Sequence, residues 1–240
     1  MSSAAPAFQL QPEAAAPVVD MSGVNKEYRR GEQTIPIFQD LDFKVSQGEF
    51  VAITGPSGSG KTTLLNLVGA LDKPDRGSVR VFGVDVASLR PAQKADWRAR
   101  SVGFVFQLYH LLPFLTAREN VEVPLALAGI RRRERRLRAM TALKITGVER
   151  ICDHKPSQIS GGQAQRVAIA RSLAADPDLL LCDEPTGDLD RHAAQEILEV
   201  LSALRANHGK TILMVTHDPF AAGYASRAVR LEKGILMTST

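Results

Sequence analysis

Gly55-Pro56-Ser57-Gly58-Ser59-Gly60-Lys61-Thr62 follows a short apolar run, Glu49 to Thr54 (E-F-V-A-I-T), and opens a segment whose leucines keep to one side. Over Lys61–Ala70, residues Leu64, Leu65, Leu67 and Val68 have the spacing of a helix with one buried face. The octapeptide fits G-x-x-x-x-G-K-[ST]. Its glycines let backbone N–H groups turn inward around phosphate oxygens, and the following helix adds its positive dipole end. Lys61 reaches the β and γ phosphates, and the Thr62 hydroxyl ligates magnesium (Mg2+). A plain Gly/Ser turn would use the glycines but has no need of the Lys-Thr pair. Strand, glycine loop and helix together predict an α/β fold of the P-loop NTPase type, with residues 55–63, Thr63 included, holding a nucleoside triphosphate.

Outward from the loop, the apolar runs are those of a buried sheet. Asp178–Asp183 (D-L-L-L-C-D) and Thr211–Val215 (T-I-L-M-V) are almost continuously apolar, which suits parallel strands covered on both faces. Val102–Phe106 and Ser78–Val84 read as further strands, Arg191–Leu204 as a helix, and Val229–Leu231 with Gly234–Met237 as a terminal hairpin. Asp183 stands at the end of its run, placed to hold magnesium, and Glu184 one residue beyond is placed to accept a proton from attacking water. Adjacent carboxylates after an apolar run also begin helices and turns; the phosphate loop upstream favours the chemical reading. Ser160-Gly161-Gly162-Gln163 offers a hydroxyl and free N–H groups to an anion, and by the same chemistry is a helix N-cap.

Between about residues 113 and 160 strand-like alternation gives way to helical spacing, as in Leu137, Met140, Leu143 and Ile145, which predicts a helical insertion in the α/β domain. The run Arg131–Arg138 (R-R-R-E-R-R-L-R) reads as a solvated helix face. It has no interleaved aromatic residues for base stacking, and a net charge of +4 over 240 residues gives no case for nucleic acid. The two cysteines, Cys152 and Cys182, are too few for a disulfide framework, and Cys182 reads as a buried thiol. Residues 1–19 carry no Lys or Arg and no sustained apolar segment, so 1–17 reads as a disordered tail before a domain at 18–240, without a secretory signal. The longest uncharged stretch, Ser101–Ala117, is broken by Gln107, His110 and Pro113 and falls short of the roughly 20 apolar residues of a span. The chain is expected to be soluble, with any membrane role supplied by a partner.

These motifs, in this order, resemble the ATP-binding cassette family over nearly all of residues 18–237. The resemblance implies a RecA-like core with a mostly parallel sheet, an N-terminal antiparallel β subdomain and an inserted α-helical subdomain. It implies ATP and magnesium as ligands, a homodimer, and an integral membrane permease as partner, with the chain on the cytoplasmic face of the inner membrane. By the same likeness Ser160–Gln163 is the signature motif that completes the partner's ATP site, and Tyr28 the aromatic that stacks on adenine. Gln107 is the glutamine that touches magnesium and senses the membrane part, Asp188 and Asp190 belong to the D-loop at the dimer interface, and His217 contacts the γ phosphate.

A narrower likeness lies in Gly103-Phe104-Val105-Phe106-Gln107, Leu111-Leu112-Pro113, Glu119-Asn120-Val121, Pro124-Leu125 and Asp183 through Asp190, which are similar to the macrolide-export and lipoprotein-release branch. Ile159 and Ala164 depart from the usual Leu and Gln of the signature, and neither change removes a phosphate-contacting group. Two other readings share the motor: a soluble mechanical ATPase, and a regulatory or division-associated subunit that signals without moving a solute.

Overall fold

In a computed structural model, residues 16–31 and 33–238 are described; apart from Ala16 and Pro17, the predicted tail lies outside them. Two sheets share the molecule. Strands β1 (Val19–Arg30), β2 (Gln33–Val45), β4 (Arg76–Val81) and β5 (Val84–Asp85) form an antiparallel sheet in the order β2-β1-β4-β5. Strands β3 (Phe50–Thr54), β6 (Val102–Phe106), β7 (Leu179–Asp183), β8 (Thr211–Val215), β9 (Arg227–Glu232) and β10 (Ile235–Thr238) form the second, ordered β10-β9-β3-β8-β7-β6. It is parallel except for its last hairpin, β9–β10. The expected α/β architecture, with a mostly parallel sheet beside an antiparallel one, is present.

The central strands are apolar throughout because each face meets a different core. Val51, Ile53, Leu179, Leu181, Leu213 and Val215 point into one cluster, shared with the antiparallel sheet and helix α1 (Lys61–Val68). Phe50, Ala52, Leu180, Cys182, Ile212 and Met214 point into the other, against α5 (Gly161–Leu173) and α6 (Arg191–His208). Period-two alternation sends every second residue to each layer, so both sets must be apolar. Burial and the neighbouring Asp183 push the Cys182 thiol well above its ordinary pKa, as expected of an inert core cysteine.

Several boundaries move for local reasons. Helix α1 ends at Val68, since Gly69 caps it and Ala70 turns left-handed at φ 53°. The strand expected over 78–84 stops at Val81, because Phe82 and Gly83 (φ 51° and 75°) turn the chain into β5. Helix α2 (Pro91–Ser101) was not anticipated; it buries no residue fully, so it lacks the apolar stripe that periodicity detects. Between β6 and α5 lie α3 (Ala117–Leu127), α4 (Arg132–Ile145) and two single 3-10 turns at Glu149–Ile151 and Pro156–Gln158. The basic run is the exposed start of α4, where Arg138 pairs with Glu134 and Arg135 reaches Glu122. Helix α6 runs four residues past its predicted end to His208, and Gly209, with a left-handed φ of 63°, closes it. A short helix α7 (Pro219–Ala222) follows β8.

Candidate functional site

Strand β3 delivers the chain to Gly55, where a side chain is impossible: a Cβ would stand 2.1 Å from the Leu231 carbonyl oxygen. Gly58 and Gly60 take positive φ, and Gly60 begins α1 without a side-chain cap, leaving the first N–H groups of the helix open to an anion. The Lys61 ammonium is buried and lies across the loop, donating to Gly55 O and Pro56 O at 3.0 Å each. The buried Ser59 hydroxyl finds no protein partner there. An inward cation and an unmatched hydroxyl are the groups that phosphate oxygens would satisfy.

Across from the loop, Thr62 Oγ1 donates to Asp183 Oδ1 at 3.3 Å. Burial holds the Asp183 carboxyl above the ordinary carboxylate range and Glu184 adds to this, while Thr62 and Lys61 pull the other way. Among the described residues no group of three or more His, Cys, Asp or Glu side chains is arranged to hold a metal. One hydroxyl and one carboxylate beside this loop would suit a magnesium ion that takes its other ligands from phosphate and water. Glu184 sits just past β7 in left-handed backbone, φ 48°, its N–H donating to Val215 O at 2.9 Å. His217, two residues after β8, brings Nδ1 within 2.5 Å of Glu184 Oε2. The β7 and β8 ends lie side by side, which is why residues so far apart in sequence meet.

Gln107 follows β6 directly and donates from Nε2 to Asp188 Oδ1 at 3.0 Å. Asp190 caps α6 by accepting from Ala193 N at 2.9 Å. Tyr28 is 40% exposed, with its hydroxyl donating to Asp72 Oδ2 at 2.8 Å, Thr63 beside the same hydroxyl, and the Lys26 ammonium 4.9 Å from the ring centre. Ser160 is an N-cap: its hydroxyl accepts from Gln163 N at 3.3 Å, and Gln163 Oε1 accepts from Ser160 N at 3.0 Å. Ser160, Gly162 and Gln163 border a cleft of about 570 Å³ with Arg166, Asp190 and Glu196. Gly55, Pro56 and His217 line another, of about 630 Å³, on which no signature residue borders. The phosphate loop, both carboxylates and His217 thus belong to one cluster, while Ser160–Gln163 faces a separate opening.

The family model described as ABC transporter matches residues 38–187, which run from β2 through the loop to Gly187. The chain belongs to the ABC transporter family. It is therefore an ATPase cassette, and the similarity extends beyond the matched segment. It is 47% identical over 221 residues to the macrolide export ATP-binding/permease protein MacB of Syntrophobacter fumaroxidans, covering 91% of this chain but 31% of that protein. The chain spans about a third of the length of the MacB relatives it matches. It is also 44% identical over 220 residues to the uncharacterized ABC transporter ATP-binding protein YvrO of Bacillus subtilis, covering 92% of this chain and 96% of that one. Among solved structures, a dimeric post-hydrolysis state of the ATP-binding cassette MJ0796 bound to ADP and Pi superposes with a TM-score of 0.83 at 41% identity, over 92% of this chain and 98% of that one.

Three residues to which sequence reading gives no role shape this cassette's site. Gln165 of α5 is fully buried and donates to Phe106 O and Pro185 O. Arg171, further along α5, donates to Tyr109 O and His110 O. Asn120 of α3, also fully buried, accepts from Leu112 N and donates to Leu112 O, Leu115 O and Thr116 O. Together they hold the backbone of residues 106–116 around Gln107. The available signal was polar side chains on the buried faces of helices, where an unpaired amide would be costly.

Proposed function

We propose that this chain is the ATP-hydrolysing subunit of a membrane transporter, working as a homodimer on the cytoplasmic face of the membrane and driving an integral membrane permease, with export as the direction. The observation that carries the reading is the meeting of Lys61, Thr62, Asp183, Glu184 and His217 at adjacent strand ends. In this reading residues 55–63 cradle the triphosphate, Tyr28 stacks on the base, and Thr62, Asp183 and Gln107 would hold magnesium. That ion supplies charge neutralisation for the phosphates when bound. Glu184 accepts a proton from the attacking water, and His217 keeps that carboxylate oriented and contacts the γ phosphate.

Ser160 to Gln163 act on the partner's nucleotide, which accounts for their facing a separate cleft from the loop of their own chain. Closing two chains face to face excludes water from the phosphates, where electrostatic stabilisation counts most. The D-loop residues Asp188 and Asp190 lie at that interface. The dimeric state of the MJ0796 cassette supports this arrangement. Residues 113–160 act as a helical subdomain within the nucleotide-binding domain.

A permease partner is supported by three facts. No helix among the described residues is long and apolar enough to cross a membrane. The MacB relatives are named as combined ATP-binding and permease proteins. Leu108, next to Gln107, and Phe114, seven residues after it on the same pinned segment, are 64% and 67% exposed, large apolar side chains that a partner could cover. Purification of a tagged chain from detergent-solubilised membranes should retain a multi-span protein, and the reconstituted pair should expel a solute or release a lipoprotein on ATP addition. Recovery of the chain alone from every membrane preparation would count against transport. Recovery with a membrane protein whose ATP response is a signal, with no solute moved, would favour the regulatory reading.

A further inference from the structure

Gln165 lies on α5 five residues after Ser160, fully buried, and its amide nitrogen donates to Phe106 O at 3.1 Å and Pro185 O at 2.6 Å. Phe106 immediately precedes Gln107, and Pro185 immediately follows Glu184. Both acceptors are carbonyls, so the amide has one workable orientation; flipped, it would set oxygen against oxygen twice. The amide oxygen is left buried without a partner. A residue kept for packing alone would be apolar at this position, because the orphaned acceptor costs stability that a methionine would not. The second anchor is Arg171, whose guanidinium reaches His110 O at 2.6 Å and Tyr109 O at 2.8 Å. Helix α5 therefore grips the chain on both sides of Gln107 and Leu108, and touches the turn that carries Glu184.

We propose that Gln165 is a positioning residue that ties Gln107 and Glu184 to the helix bearing Ser160. When Ser160 closes on the nucleotide of the partner subunit, the same rigid helix carries the backbone of residues 106 and 185 with it. Engagement of one site thereby aligns the carboxylate of the other. This rests on the roles proposed above for Ser160, Gln107 and Glu184.

The test is Gln165→Met, which keeps the length of the side chain and removes both donors. ATP affinity of the single chain should stay within about twofold, because the phosphate loop is untouched. Turnover should fall between about tenfold and a hundredfold, the usual consequence of misplacing a reacting group by a fraction of an ångström to an ångström. Added to Gln107→Ala, the same change should cost less than it does alone, since the part of its effect that runs through residue 106 is already lost. Full turnover in Gln165→Met, an equal loss of nucleotide affinity, or full additivity with Gln107→Ala would each overturn the proposal.

Should Gln165→Met fail to fold, hydrogen exchange on the Glu184→Gln chain decides. Amides of 107–110 and 186–188 should gain protection together with those of 161–165 on ATP addition, and protection of one group without the others would overturn the proposal. Glu184→Gln assayed alongside separates the two failures. If it hydrolyses normally the site reading falls, whereas a dead Glu184→Gln beside a fully active Gln165→Met removes only the linkage.

Discussion

His217 Nδ1 lies 2.5 Å from Glu184 Oε2, joining the end of β8 to a carboxylate that left-handed backbone holds just beyond β7. A glutamate in that conformation carries roughly 1–2 kcal/mol of strain that glycine would not. The surroundings keep it there: the bond from its N–H to Val215 O fixes the main chain and His217 fixes the side chain. In the proposed reading, this strained, doubly held carboxylate beside the loop at 55–62 is preorganised to accept a proton.

Glu184→Gln keeps the shape and removes the base. Phosphate release should fall by about 10²–10⁴-fold, the range general-base catalysis supplies. Nucleotide titration should give an unchanged affinity, and turnover at the normal rate would take Glu184 out of that role.

Asp183 gives a pH signature. Its folded carboxyl is held above the ordinary range, mainly by burial and secondarily by Glu184, so the folded chain holds this proton more tightly than the unfolded one. Stability contributed by that preference is present at low pH and is lost as pH rises from the unfolded carboxylate value of about 3.9 through the raised folded value. Asp183→Asn, which still accepts from Thr62, should flatten this part of the melting profile. It should raise the melting temperature near neutrality by about 2–4 °C per kcal/mol recovered while abolishing hydrolysis. Differential scanning fluorimetry across the acid range checks it, and a lower melting temperature at pH 7 would contradict it.

Lys61 is bonded to two loop carbonyls before any phosphate arrives. In the proposed reading, nucleotide binding exchanges those partners for phosphate oxygens. Lys61→Ala should therefore weaken ATP binding by at least about tenfold, from the loss of a charge-assisted contact worth roughly 1.5–3 kcal/mol. Isothermal titration reads this directly, and an affinity within twofold of the parent chain would show that the ammonium is not a phosphate ligand.

What the sequence made legible follows from how local each signal is. The phosphate loop, Thr62 and the β7 carboxylates could be read because glycine spacing and apolar run length are short-range constraints. Strands β6 and β8 were placed to the residue, since strands buried on both faces are apolar end to end. Helix α2 escapes sequence reading because it buries no residue fully, and β1 and β2, implied only through the family likeness, get no ranges because register shifts between Met21 and Glu27 break their alternation. The bond from Gln107 to Asp188 and those from Gln165 to Phe106 O and Pro185 O join segments far apart in the chain, which spacing cannot show. Ser160 illustrates the reverse case. The helix cap and the anion site were two readings of four residues, and the structure realises the cap while leaving the helix end facing an open cleft.

The central claim is that two copies complete each other's nucleotide site, and sedimentation velocity of the Glu184→Gln chain with and without ATP tests it most directly. The account predicts a species of 26.0 kDa alone and one of twice that mass with ATP, the larger lost again when Ser160→Arg is added. A chain that binds ATP yet stays at 26.0 kDa at every concentration, with hydrolysis by the parent chain intact, would contradict it.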